Sequence, residues 1–317
     1  MKNWMIVGVV LIVMGITVFA VAMATNDWNF RNLSTVKYET NVHEIKDEFS
    51  KISIDTSTAN IILLPSEDGK CRVECYEEEK IKHTVSVKDG TLSVVSVDER
   101  KWYEHIGFNF DSAKITVHLP ENEYESLVIR ESTGMVTVPS LFTFGGIDIK
   151  TSTGDVDCLA TVKGEMKITT STGRINLEKL TAGAILLEVS TGRVTVSDVT
   201  CEGDITVKVS TGKTILTNVT CKRLSSIGDT GDITLENVIA SDSFFIKRDT
   251  GDVHFVRSDA ENIFAETDTG HIKGSLLTKK VFITDSATGR INVPKTTEGG
   301  RCELITDTGD ITINVLS

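Results

Sequence analysis

Residues 171–196 read STGRINLEKLTAGAILLEVSTGRVTV and contain two copies of one pattern, Ser-Thr-Gly-Arg followed by alternating apolar residues. The same Thr-Gly pair, preceded by Ser, Asp or Ala, occurs ten times at intervals of 19 or 20 residues. The glycines of these repeats are Gly134, Gly154, Gly173, Gly192, Gly212, Gly231, Gly251, Gly270, Gly289 and Gly309. A fixed period near twenty is typical of a solenoid, in which each repeat buries its apolar face against its neighbours.

Apolar or small residues recur at fixed distances from the repeat glycines. They lie two and four positions after the glycine, as at Ile175 and Leu177, and seven and five positions before it, as at Ile185 and Leu187. Alternation within a short run is the period of a β-strand, and the β-branched content also favours strands. The pattern predicts an all-β fold, a single-stranded parallel β-helix (β-solenoid) with coils of about 19–20 residues, preceded by one N-terminal transmembrane helix.

Composition divides the chain into four segments. Residues 1–25 are a transmembrane anchor or an uncleaved signal sequence, and residues 26–50 are a juxtamembrane linker. Residues 51–130 are an N-terminal β region that caps the solenoid, and residues 131–317 are the regular solenoid repeats. Within the cap, Asp89-Gly90 separates two β-rich runs and predicts a hairpin.

The N-terminal segment has 21 uncharged residues, from Trp4 to Ala24. At about 1.5 Å per residue they span about 30 Å, the thickness of a bilayer core. Ala22-Met23-Ala24 has the small-x-small form of a signal peptidase site, so cleavage before Thr25 is the alternative. Because the apolar run is longer than the usual apolar region of a signal sequence, we favour a single-pass anchor in the cell membrane with an extracytoplasmic C-terminal domain.

The repeat glycines predict structural turns, because glycine accepts a positive φ at a corner without steric cost. The residue after each glycine forms a column in which Arg174, Arg193 and Lys213 are consecutive. Two interpretations are open for these like charges. They form either an anion-binding strip or, as we favour, a solvated face relieved by neighbouring carboxylates.

Asp-Thr-Gly occurs at residues 229–231, 249–251, 268–270 and 307–309, and this tripeptide carries the catalytic carboxylates of aspartic proteases. Here Ser or Ala replaces the Asp in the other six repeats, so the position is a structural one. Stacked aspartates leave calcium binding open, although the nonapeptide calcium pattern is missing. We expect no catalytic residues, no cofactor and no metal site.

The remaining polar chemistry is sparse. The six histidines show no metal-ligand spacing, and the net charge of −12 argues against a nucleic-acid partner. Cys71 and Cys75 would lie about 13 Å apart on one strand, too far for a disulfide. Cys201 and Cys221 are expected in adjacent coils, as two buried thiols or as a disulfide.

Two segments are candidate contact sites. Trp102, Tyr103, Phe108 and Phe110 lie between charged residues, either as a partner contact or as a plug over the end of the solenoid. The strand at 311–315 runs almost to the C-terminus with nothing after it to cover the last coil. An open coil edge predicts self-association through the C-terminal coil or pairing with a partner.

The repeats STGDVDC, STGRINL, STGRVTV, DTGDITL and DTGDVHF follow the stretch KITVHLPENEYESLVIRESTG. Together they resemble the bacterial DUF4097-type β-strand-repeat "putative adhesin" family over roughly residues 40–317. The single helix in front is similar to the arrangement in LiaG-like envelope proteins of Gram-positive bacteria. The resemblance implies a β-solenoid and no catalytic residues.

These observations predict a membrane-anchored extracytoplasmic β-solenoid that is a non-catalytic interaction scaffold at the bacterial cell envelope. Its partner is the membrane through the helix, together with an envelope protein or wall polymer. It acts either as an adhesin or as an accessory of envelope-stress signalling. The alternative from another class is a polysaccharide-active β-helix enzyme, which the short loops disfavour.

Overall fold

The computed structural model describes residues 2–25, 27–28, 36–101 and 111–316, and it contains one helix, α1 (Lys2–Thr25). The strands are β1 (Tyr38–Ile45), β2 (Lys51–Thr58), β3 (Asn60–Pro65), β4 (Cys71–Glu78), β5 (Ile81–Lys88), β6 (Thr91–Asp98), β7 (Lys114–Leu119), β8 (Glu123–Thr133), β9 (Val136–Val138), β10 (Thr143–Thr153), β11 (Val156–Cys158), β12 (Thr161–Glu178), β13 (Thr181–Cys201), β14 (Asp204–Thr230), β15 (Ile233–Thr250), β16 (Val253–Thr269), β17 (Ile272–Leu276), β18 (Lys280–Ser286), β19 (Ile291–Asn292), β20 (Gly300–Thr308) and β21 (Ile311–Val315).

The helix agrees with the apolar pattern of the N-terminus. Its segment Trp4–Thr25 is long and apolar enough to cross a membrane, with a mean hydropathy of 2.8. A signal sequence has the same properties, so both interpretations of this segment remain open.

Most strands stack as a parallel solenoid of about ten turns, which confirms the predicted fold class. Strands β1, β4 and β5 are the exceptions, because they pair antiparallel, β1 and β7 with β4 and β5 with β6. Successive coils are in register, so that Gly173 pairs with Gly192 and Ile175 with Val194. Along each strand every second side chain points inward, and these positions form one continuous apolar core. A shift of one residue would expose this whole set, so the hydrophobic pattern fixes the register.

The repeat glycines lie at one corner of the coils, a position that Ala59 occupies in the coil formed by β2 and β3. Nine of them have φ between +128° and +158°, and Gly289 is the exception. At Gly154, with φ +151°, an added Cβ would lie 1.6 Å from the carbonyl oxygen of Gly134 in the neighbouring coil. The corner therefore brings the two backbones into direct contact.

A second corner is built from residues other than glycine, and sequence analysis did not predict it. Lys179, Asp198, Asn218, Asn237 and Arg257 stack with φ between +47° and +54°. The Asn218 amide donates to Asp198 at 2.8 Å, and the Asn237 amide donates to Asn218 at 2.9 Å. Short polar side chains tolerate this left-handed conformation, and the hydrogen bonds run from coil to coil.

The coils at the two ends are not stacked in chain order. At the first end, β2 and β3 lie between β6–β7 and β8–β9. At the second end, β20 and β21 lie between β16–β17 and β18–β19. The prediction of an open C-terminal strand at 311–315 is wrong for its first two residues, because β21 pairs with β17 along its whole length and also with β19 at Ile311 and Thr312. Within the described residues, the outer edge at this end is formed by β18, β19 and residues 313–315.

All six cysteines are free and buried. This agrees with the buried-thiol interpretation of Cys201 and Cys221 and not with a disulfide between them. Burial raises the pKa of Cys158 and Cys221 to about 12, so these thiols are protonated and unreactive at neutral pH.

Candidate functional site

Cys75, Glu77 and His83 form a buried polar cluster at the corner between β4 and β5. Strand β4 alternates strictly, with Cys71, Val73, Cys75 and Glu77 all pointing inward. A tight turn at residues 79–80 then leads into β5, where the inward position is His83. The turn therefore brings the acid at the end of one strand against the imidazole of the next.

Hydrogen bonds hold the cluster in a fixed geometry. One carboxylate oxygen of Glu77, Oε2, lies 2.6 Å from both the backbone nitrogen and the Nδ1 atom of His83. The other oxygen, Oε1, accepts a hydrogen bond of 2.7 Å from the amide of Asn41 on β1. On the far side of the ring, Nε2 of His83 lies 2.9 Å from the hydroxyl of Thr56 on β2.

The cluster also offers three donor atoms suited to a metal ion. A ring nitrogen of His83, a carboxylate oxygen of Glu77 and the sulfur of Cys75 all lie within 4.8 Å of one another. Burial raises the pKa of the Cys75 thiol to about 12, and the nearby Glu77 charge acts in the same direction. Without a cation, this sulfur therefore stays protonated.

Hydrogen bonds link Thr56 to His83 and His83 to Glu77. This is the arrangement of a hydroxyl nucleophile, a base and an orienting acid in a catalytic triad. The surroundings do not suit acyl transfer. Thr56 is only 4% exposed and points into the core. Its position on β2 is in strand register with Glu131 on β8, in the next coil. A substrate carbonyl does not reach its hydroxyl in this arrangement, so the triad is a buried clamp between β2, β4 and β5.

The spacing of the histidines along the chain does not reveal this cluster, because His83 meets its partners only across the corner. The available signal was the alternation Cys71, Val73, Cys75 and Glu77, which places an acid in a buried column. A strand ending in a buried acid, followed by a two-residue turn and a histidine, indicates a polar contact across the corner.

The predicted contact residues Trp102, Tyr103, Phe108 and Phe110 lie outside the described residues. The charged column after the glycines is described in full. Arg174 pairs with Asp155 at 2.6 Å and Lys213 with Asp232 at 3.1 Å, so carboxylates neutralise two of its three adjacent cations. Asp155 also accepts a hydrogen bond of 2.8 Å from the backbone nitrogen of Arg174, which ties adjacent coils together.

A stacked aromatic pair, Phe245 and Phe264, lies on the outer face of β15 and β16. Their ring centroids are 5.2 Å apart, and Phe245 is 43% exposed. Two residues further along each strand, Lys247 and Glu266 form an ion pair of 3.1 Å. The outer face of the solenoid therefore presents an ordered surface that combines apolar and charged groups.

Three solved structures align with most of this chain. A "putative adhesin" from Parabacteroides merdae is 13% identical with a TM-score of 0.47, and the match covers 88% of this chain and 96% of that one. A second, from Bacteroides fragilis, is 19% identical with a TM-score of 0.42, covering 88% and 97%. A third, from Parabacteroides distasonis, is 11% identical with a TM-score of 0.43, covering 88% and 98%.

No curated protein matches the chain. The family model described as Toastrack DUF4097 matches residues 49–208, which is about half of the chain. That range runs from just before β2 into β14 and includes the buried cluster and the first repeat glycines. The chain belongs to the Toastrack DUF4097 family.

Proposed function

We propose that this protein is a membrane-anchored, extracytoplasmic interaction scaffold at the bacterial cell envelope, adhesin-like and non-catalytic. The observation that carries the proposal is one membrane-length apolar helix in front of a β-solenoid of about ten turns. Parallel stacking repeats the outward side chains about every 4.8 Å, so the solenoid presents a long regular surface. Such a surface suits binding better than chemistry.

The proposed contact surface is the outer face around Phe245 and Phe264. Exposed aromatic residues are enriched in protein interfaces because they bury a large area at low entropic cost. The partner is an envelope membrane protein, as for an accessory of envelope-stress signalling, or a wall polymer, as for an adhesin. The segment at 102–110 remains a second proposed contact.

The test is crosslinking in intact cells from a photoreactive amino acid placed at Phe245. Ile239 is the matched control, because it lies on the same strand and is similarly exposed, at 37%. We expect an adduct from Phe245 that Ile239 does not give. An adduct with one membrane protein supports the accessory role, and an adduct with wall polymer supports the adhesin role. Equal labelling from both positions would contradict this contact surface.

A further inference from the structure

We propose that Cys75, Glu77 and His83 form a binding site for a divalent transition-metal ion of the zinc class. The site is independent of the proposed scaffold function. It lies at the corner of β4 and β5, in the cap rather than in the regular coils.

The donor set fits this class of ion. Thiolate, imidazole and carboxylate are the three ligand types that Zn²⁺ uses in proteins, whereas Ca²⁺ and Mg²⁺ take oxygen ligands almost exclusively. In a tetrahedral site with metal–ligand distances of 2.0–2.3 Å, donor atoms lie about 3.4 Å apart. The three donors already lie within 4.8 Å, so the sulfur has to approach and the close contact between Glu77 and His83 has to open. Rotation of the Glu77 carboxylate opens its contact with His83.

The tautomer of His83 permits both states. Without metal, Nδ1–H donates to Glu77, and Nε2 accepts from the Thr56 hydroxyl. With metal, the Nδ1 lone pair binds the ion, and the proton on Nε2 is donated to the same hydroxyl. A hydroxyl can donate or accept, so Thr56 keeps its hydrogen bond in both states. Binding releases the proton of the Cys75 thiol to solvent.

The surroundings supply the partners that metal sites need. The ligating carboxylate of Glu77 is oriented by the Asn41 amide, and the ligating ring is oriented by Thr56. A cavity of about 230 Å³ is lined by His83 together with Ser57 and Thr58. The cavity reaches His83 but is not lined by Cys75 or Glu77, so the water molecule that completes four-coordination would enter from it as the Glu77 carboxylate rotates. The bound ion would fasten β4 and β5 to the first coil.

The experiment is titration of the full-length protein, purified in detergent and stripped with a chelator, with Co²⁺ and then Zn²⁺. We expect one equivalent of Co²⁺ to give a thiolate-to-metal charge-transfer band, which Zn²⁺ abolishes by displacement. Cys75→Ser should remove the band, and Asn41→Ala should weaken Zn²⁺ binding about 10-fold or more. The control is Cys71→Ser, on the same face of the same strand, which should leave the band unchanged.

A second measurement on the unmutated protein guards against variants that fail to fold. Under partial denaturation, Zn²⁺ should protect Cys75 from alkylation much more than Cys71, as read by mass spectrometry. The proposal is overturned if Co²⁺ and Zn²⁺ do not bind at micromolar concentration. It is overturned equally if the charge-transfer band survives in folded Cys75→Ser, or if Zn²⁺ protects both thiols alike.

Discussion

The inward-facing residue three positions before each repeat glycine shows what the corner requires. Thr170 donates to the carbonyl oxygen of Gly154 at 3.4 Å, and Thr267 donates to that of Gly251 at 2.9 Å. Glu131 occupies the same position in the first regular coil. Neither of its carboxyl oxygens has a hydrogen-bond partner among the described residues. Burial raises the pKa of Glu131 to about 7, so the side chain is neutral in mildly acidic solution.

Glu131 makes stability depend on pH. Its folded pKa lies above the ordinary value of 4.5, so the folded state holds the proton more tightly. The contribution of Glu131 to stability is therefore most favourable below pH 4.5, falls as the pH rises to about 7, and then levels off. At about 1.4 kcal/mol per pKa unit, the loss is of the order of 3 kcal/mol. Glu131→Gln should remove this loss and unfold at higher temperature at pH 8, as measured by circular dichroism. An exposed control, Glu121→Gln, should change nothing, and equal effects of the two variants would contradict the account.

The glycine corner makes a second prediction for a single residue. Gly192 has φ +153°, and a Cβ there would lie 1.8 Å from the Gly173 carbonyl oxygen. Gly192→Ala should therefore lower the free energy of unfolding by about 3 kcal/mol or more, because strain and backbone overlap add. The matched control is Gly146→Ala, whose Cβ would meet its nearest atom at 3.7 Å. Similar melting temperatures for the two variants would refute the role of the corner.

At the second end of the solenoid, the coil formed by β18 and β19 is held by a buried ion pair. Lys280 Nζ lies 2.6 Å from Asp259 Oδ1, and both side chains are less than a tenth exposed. This pair joins β18 to β16, and the coil formed by β20 and β21 lies between these two strands. It therefore ties down the part of the chain that leaves the regular stacking order.

Lys280→Met should destabilise this end by about 3–5 kcal/mol, because it leaves the Asp259 carboxylate buried without its cation. The double variant Asp259→Asn with Lys280→Met should recover much of the loss, because no uncompensated charge remains. Hydrogen exchange at residues 280–286 reads the local effect. If the losses of Lys280→Met and of Asp259→Asn, each measured alone, simply add in the double variant, the ion pair does not act as described.

The elements show how far sequence reasoning extends. The alternation around Ile175 and the spacing of the glycines predict the coils and their register, because burial of one strand face fixes both. They do not predict which coil stacks on which at the ends, since every repeat has the same period and β20 fits either neighbour equally well. The Asn218 corner was missed because its polar residues resemble an ordinary surface loop. The His83 cluster depends on the turn between β4 and β5, and its signal is the buried acid at the end of β4 rather than any spacing among the histidines.

For the whole molecule, the burial of all six cysteines offers a direct test of topology. A single cysteine introduced at the exposed Thr288 would be the only accessible thiol of the described residues. The account predicts that Thr288→Cys reacts with a membrane-impermeant maleimide on intact cells, whereas the unmutated protein does not react. It also predicts that the labelled protein stays with the membranes after an alkaline wash. Labelling only after lysis, or recovery of the protein in the soluble fraction, would contradict a membrane-anchored extracytoplasmic scaffold.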